Sequence, residues 1–221
     1  MPVMDAAEAQ ELYDIAEAGR AAARTHQPDA EKPVEERYPD VLAALQWHLD
    51  HDDVDPGFRF ANALVTFWLG TNRIPDGDDW FGRLLATPGE ANTTRALALH
   101  EHGYLVFWAG EHDRAAQRFR ESLDLAASLN DASLQALALA GLARVALYTD
   151  PPEAVRLLRE ALDLTRDLPD DDPRKVERGA RPRPRPPDVR RPRGRARGDR
   201  AAAGDGGARV RRSSCGASRR T

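Results

Sequence analysis

The residues with the widest chemical scope in this chain are its six histidines, and their spacing decides what they can do. His100 and His102, in LHEHG, stand two apart in a helical pattern. At about 100° per residue their side chains point roughly 200° away from each other, so they cannot close on one metal ion. His48 and His51 do share a helix face, with Asp52 beside them, but the sequence places no further ligand there. A solvated helix end is the expected role of that trio. Serine, histidine and aspartate are all present, yet no stretch has the form of a nucleophile elbow. The acidic runs HLDHDD, PDGDD and LPDDD fall at turns and helix ends and lack the ligand spacing of a calcium loop. They read as caps and solubilising residues. The only cysteine is Cys215, which leaves neither a disulfide framework nor a thiolate cluster. The expectation is a protein with no metal, no cofactor and no catalytic constellation.

Aromatic residues offer a second route to function. Trp47, Trp68, Trp80 and Trp108, with Phe67, Phe81 and Phe107, are numerous enough to line a pocket. Most of them recur at helical, core-facing intervals, so packing is the expected role.

The elements that must position these side chains are helices. Residues 5–24 form an amphipathic helix with Leu12, Ile15 and Ala16 on one face. THQPDAEKPVEERYPD reads as a linker, because Pro28, Pro33 and Pro39 each interrupt helix. Asp40 is the expected N-cap of a helix from Val41 to about His51. GFRFANALVTFWLG follows the turn DDVDPG, and RIPDGDDWFGRLLATPGE comes next. ANTTRALALHEHGYLVFWAGE breaks near Gly110 and pairs with HDRAAQRFRESLDLAASLN. DASLQALALAGLARVALYT pairs with PPEAVRLLREALDLTRDL, which is capped by Asp150 and opens on prolines. Strand patterns are absent, so the class is all-α.

The pairs repeat. RFRESLDL (118–125) and LLREALDL (157–164) are nearly one string, 39 residues apart. ALAL stands at 96–99 and again at 136–139. Gly77, Ala115 and Ala154 are spaced by 38 and 39, each followed four residues later by a bulky side chain: Phe81, Phe119 and Leu158. A small residue lets two helices approach, and the bulky one a turn later fills the groove beside it. A period near forty predicts a solenoid of antiparallel helix pairs.

Gly103, Ala115, Phe119 and Ser122 resemble the small, small, aromatic and small positions of tetratricopeptide repeats. Ala154, Leu158 and Ala161 match the second half of the next copy, where Ala143 stands in for the glycine. Over roughly residues 40–168 the chain is similar to the TPR-like C-terminal regions of ATPase-type LuxR/AfsR-like transcriptional regulators of high-GC bacteria. The period is longer than the usual unit of that family. Such regulators also carry nucleotide-binding and DNA-binding domains, and no GxxxxGK[ST] loop occurs here. What the resemblance implies is therefore a scaffold for protein–protein interaction. In a TPR-like stack the first helix of each pair lines a concave groove. That geometry names Leu97, His100, Tyr104 and Phe107, with Ala140 and Arg144 from the next copy, as contacts for a peptide or helix of another protein. They do not reproduce the Lys/Asn set with which some TPR domains clamp a terminal carboxylate.

Charge divides the chain in two. Residues 1–172 hold 15 Lys+Arg against 32 Asp+Glu, a net of −17, and residues 173–221 hold 17 against 4, a net of +13. The second stretch, which includes RGARPRPRPPDVRRPRGRARGDR (178–200), has six prolines, no aromatics and only Val176, Val189 and Val210 as large aliphatics. It cannot bury enough apolar area to offset ordering its backbone, so disorder is expected. It reads either as a basic arm for nucleic acid, which is the alternative function, or as an out-of-frame product. Arg outnumbers Lys thirty to two and Ile occurs twice, the bias of a GC-rich gene. One GC-rich codon choice for residues 176–195, shifted by a base, reads SSAAHVLGRALQMSGDLEGA, the pattern of a next first helix. On that reading the protein is a truncated repeat scaffold, and its open solenoid end is a place for self-association. The expected organisation is an N-terminal helix and linker (1–35), TPR-like repeats (36–172) and the Arg/Pro/Gly-rich tail (173–221). An acidic N-terminus without an apolar run, and no stretch near the ~18 apolar residues of a membrane span, give a cytoplasmic protein without a membrane partner.

Overall fold

The computed structural model describes residues 4–51 and 54–166, and helix is the only regular secondary structure among them. The order is α1 (Ala6–Arg24), α2 (Lys32–Glu36), α3 (Tyr38–Asp50), α4 (Val54–Gly70), α5 (Ile74–Ala86), α6 (Thr93–Trp108), α7 (His112–Ser128), α8 (Ala132–Ala146) and α9 (Pro151–Leu164). The tail 173–221, with Cys215, and the run LPDDD lie outside the described residues, as does Asp52.

Prolines begin helices here where an interruption was expected. Pro33 opens α2 inside the stretch expected to be a linker, and Pro39 opens α3. The first helical turn has no use for an amide hydrogen, so a proline there removes nothing and its fixed φ suits the helix. For the same reason α3 begins at Tyr38, which places Asp40 in the first turn rather than at the cap. Asp40 accepts from the Arg37 guanidinium at 2.7 Å instead. Pro56 likewise sits in the first turn of α4, which starts three residues before the expected GFRF. Caps formed by side chains are Asp5, Asn92, Asp131 and Asp150, each accepting from an amide two or three residues on.

The turns share a device. His26, Asn72, Gly110 and Asn130 all adopt positive φ just past a helix. Each lets the following amide reach back five residues, as Arg73 does to Trp68, Glu111 to Val106 and Asp131 to Ala126, at 2.8–3.0 Å. These bonds satisfy carbonyls left over at the helix end and reverse the chain within a few residues. Asparagine and glycine tolerate that backbone best.

Helix pairs α4–α5, α6–α7 and α8–α9 stack in order, with α4 against α6, α6 against α8, α5 against α6 and α7 against α8. At the other end α1 and α3 close over α4. Twelve of the seventeen residues of α4 are buried, as expected of a helix covered on several sides. Trp68, Phe58, Phe60, Phe81, Leu12, Leu45 and Leu64 fill this end of the core. Farther along, the core thins to alanines and leucines between α8 and α9: Ala136, Leu139, Ala143, Ala154, Leu157 and Ala161. No helix of the described residues is long and apolar enough to cross a membrane.

Candidate functional site

Phe119 is the pivot of the repeat. Its buried ring sits where a side chain on Gly103 or Gly141 would have to be, with an added Cβ meeting the ring at 2.9 and 2.5 Å. Small residues on α6 and α8 thus admit one large ring from α7 between them. Ser122, one turn on, is fully buried and its hydroxyl donates to the Ala96 carbonyl at 2.8 Å. Gly77 does for Trp68 and Leu105 what Gly141 does for Phe119. The sequence aligns Ala143 with Gly103, yet it is Gly141 that seats the ring. The third bulky residue of the series also departs from its copies: Leu158 is exposed, and Leu157 turns inward in its place.

The six groove residues divide by position. Tyr104 and Phe107 on α6 are buried, and the guanidinium of Arg144 from α8 lies over both rings, 5.2 and 5.8 Å from their centres. Beyond Phe107 the stack continues through His112, at 5.1 Å, to Tyr148, at a further 5.2 Å. His100 packs on the Phe119 ring at 5.1 Å and is buried. Leu97 is half-buried in a separate cluster with Ala96, Ala126 and Leu134, and Ala140 is half-buried on α8. Tyr104, Phe107 and Arg144 therefore form one cationic–aromatic group, with His100 and Leu97 apart from it. Of the histidines considered for a metal, His48 is buried and His51 donates to the Trp47 carbonyl at 2.8 Å while its ring stacks on that indole. Among the described residues no cluster of three or more His, Cys, Asp or Glu is arranged to hold a metal ion.

A polar cluster that the sequence reading did not find joins three helices. The buried His102 of α6 donates through Nε2 to Asp78 Oδ1 of α5 at 2.7 Å. Arg114 of α7 grips the same carboxylate with two bonds, 2.8 and 3.2 Å, and also donates to Glu111 at 2.6 Å. Burial holds the imidazole below its ordinary value, against the upward pull of Asp78. Burial pushes the Asp78 carboxyl up, but the hydrogen bonds from Arg114 and His102 together bring it below the usual carboxylate value. The pair is thus a neutral imidazole donating to a carboxylate. The cluster borders a cleft of about 480 Å³ whose lining adds Asp79, Arg83 and Arg118. That lining offers no serine, threonine or cysteine for His102 to activate. What the arrangement does is clamp α5, α6 and α7 together by charge-assisted bonds. Asp78 is 24 residues from its histidine, and no local motif marks the pairing.

No curated protein matches the chain. Residues 94–167 match the family described as tetratricopeptide repeat, so the stretch that builds α6 to α9 is a TPR-like repeat region.

Proposed function

We propose that this chain is a non-enzymatic, cytoplasmic scaffold that docks a peptide or helix of another protein on α6 and α8. The observation that carries the reading is the TPR-like stacking of α6 to α9, where rigid helix pairs hold a surface but no catalytic constellation. Leu97, Ala140 and Arg144 are the half-buried contacts on this reading, with the buried Tyr104 and Phe107 under the Arg144 guanidinium and the buried His100 packed on Phe119. Arg144 supplies the polar anchor, because its guanidinium already lies across two rings and needs little ordering on binding. Peptide display against the intact chain tests it. Selected peptides should bind the parent and lose at least tenfold affinity on R144E, at a temperature where the variant, which loses its contact with the two rings, is still fully folded. Peptides indifferent to R144E place docking elsewhere.

The kinship with the repeat regions of LuxR/AfsR-like regulators belongs to the same proposal, supported by the pattern WAGEHDRAAQRFRESLDLAASLND. So does the domain division at 35 and 172. The charge contrast favours one second reading, a nucleic-acid-binding protein that uses residues 173–221. Deleting them should then abolish binding to random duplex, and the binding should weaken steeply by about 200 mM salt. The out-of-frame reading predicts Ala/Leu-rich helix codons in the shifted frame around codons 168–180, and the gene's nucleotide sequence tests it directly.

A further inference from the structure

Among the described residues the exposed large hydrophobic side chains are Leu147, Tyr148, Val155, Leu158 and Leu162. All five fall at the end of α8 or on α9, and none lies on α1 to α7. Moved back one repeat, by 40 residues on the first helix and 39 on the second, they become Phe107, Trp108, Ala116, Phe119 and Leu123. Each of those is buried or half-buried in the stack, where α8 packs against both α6 and α7. Phe119 is 0% exposed and its copy Leu158 is 41%; Leu162 reaches 67% and Tyr148 69%. The exposed set is thus the repeat's own stacking face, built to receive another helix and uncovered among the described residues.

Three observations say what covers it. Residues 167–221 carry Leu168, Val176, Val189 and Val210 as their only large aliphatics and no aromatic, which is too little to build an apolar helix face. Among the described residues the α1–α3 end of the stack exposes no large hydrophobic side chain, so they offer no apolar complement for head-to-tail assembly. From Glu153 to Arg166, along α9 and the two residues after it, the charges balance, with Glu153, Glu160 and Asp163 against Arg156, Arg159 and Arg166. Two copies of this stretch can approach without the repulsion expected of an acidic body.

We propose that this face pairs with itself, so that two copies of the chain form a two-fold dimer with α9 packed against the partner's α9. A self-complementary patch closes at two copies, whereas a face that needed a different partner surface would not. The face meets the groove proposed above at Tyr148, whose ring reaches Phe107, but Leu158 and Leu162 are on α9 and outside that groove, so either proposal can fail without the other.

Sedimentation of the full chain tests the proposal, in about 0.5 M salt to screen attraction between acidic and basic regions. A monomer–dimer equilibrium with a dissociation constant on the order of 10 µM is expected for so small an apolar patch. L158R and L162R should each weaken it at least tenfold. Both positions are exposed in the single chain, so dilute samples should melt as the parent does. Q117R, on the exposed side of α7, should leave the equilibrium unchanged. A chain that stays monomeric to about 200 µM overturns the proposal and points instead to a helix of another protein. So does a dimer indifferent to both leucine variants, or assembly that runs past two copies.

Discussion

The α6–α7 and α8–α9 pairs are the same object in two situations. Their second helices share nearly one string of residues, and both hold a buried alanine at the close approach, Ala115 in one and Ala154 in the other. The difference lies in what comes next. Phe119 meets α8 and is wholly buried, whereas Leu158 meets no further helix among the described residues. One pattern of apolar residues therefore gives a core in the first pair and a surface in the second. In a solenoid, burial belongs to the neighbour as much as to the residue.

The largest expected effect tests that contrast directly. Phe119→Ala should cost about 3–5 kcal/mol of unfolding free energy, the range for deleting a fully buried ring. Leu158→Ala, at the equivalent position, should cost about 1 kcal/mol or less in dilute solution. Equal losses by chemical denaturation would break the comparison. Gly141→Ala comes next. Its new Cβ would sit 2.5 Å from the Phe119 ring, which is buried and cannot retreat, so about 1–3 kcal/mol of strain is expected. Combining it with Phe119→Leu should recover part of that loss, since the smaller side chain vacates the contested space.

The interfaces also differ in chemistry. Where α5, α6 and α7 meet at Asp78, His102 and Arg114, the copies 40 and 39 residues on from the latter two are Leu142 and Glu153. The polar clamp on one side of α6 has no copy beyond it, where Leu142 packs against apolar neighbours and Glu153 pairs with Arg156. Asp78→Ala removes the acceptor shared by His102 and Arg114 and should cost about 2 kcal/mol by thermal or urea melts. Ser122→Ala, which loses the bond to the Ala96 carbonyl, should cost about 1 kcal/mol. The next repeat already carries alanine there, at Ala161, so the bond is a local addition rather than a requirement of the fold.

The smallest effect concerns pH. His102 titrates below its ordinary value of 6.5 in the folded chain, so below that value the unfolded chain binds the extra proton. Its contribution to stability is therefore complete above pH 6.5 and lost as pH falls toward the folded value. The Asp78 carboxyl, also lowered, contributes in the same direction, but only as pH approaches and passes below its ordinary 3.8. H102Q keeps a donor toward Asp78 without a titrating ring. The difference in melting temperature between parent and variant should narrow from pH 7.5 to 5.5. A constant difference would show that His102 does not carry the slope.

Much of the fold was legible in the chain because its signals are local. Asp150 caps its helix within three residues of itself, and the 39- and 40-residue offsets need only counting. Legibility failed where a proline's meaning depends on its place in a turn, as at Pro33 and Pro39. It failed again for the clamp, since Asp78 and His102 lie on different helices and meet only through the stacking of α5 on α6. The groove residues were named from repeat geometry, and the fold places Tyr104, Phe107 and Arg144 together while setting Leu97 and His100 against other neighbours.

The sequence by itself determined the helices, their pairing and the small-then-bulky rhythm, because hydrogen bonding, capping and helical periodicity act over a few residues. Only the tertiary structure decided which copy of each apolar residue is buried, which of Leu157 and Leu158 turns inward, and which glycine seats Phe119. Those outcomes depend on what packs across a helix face, and packing is a property of two surfaces that no single stretch of residues contains.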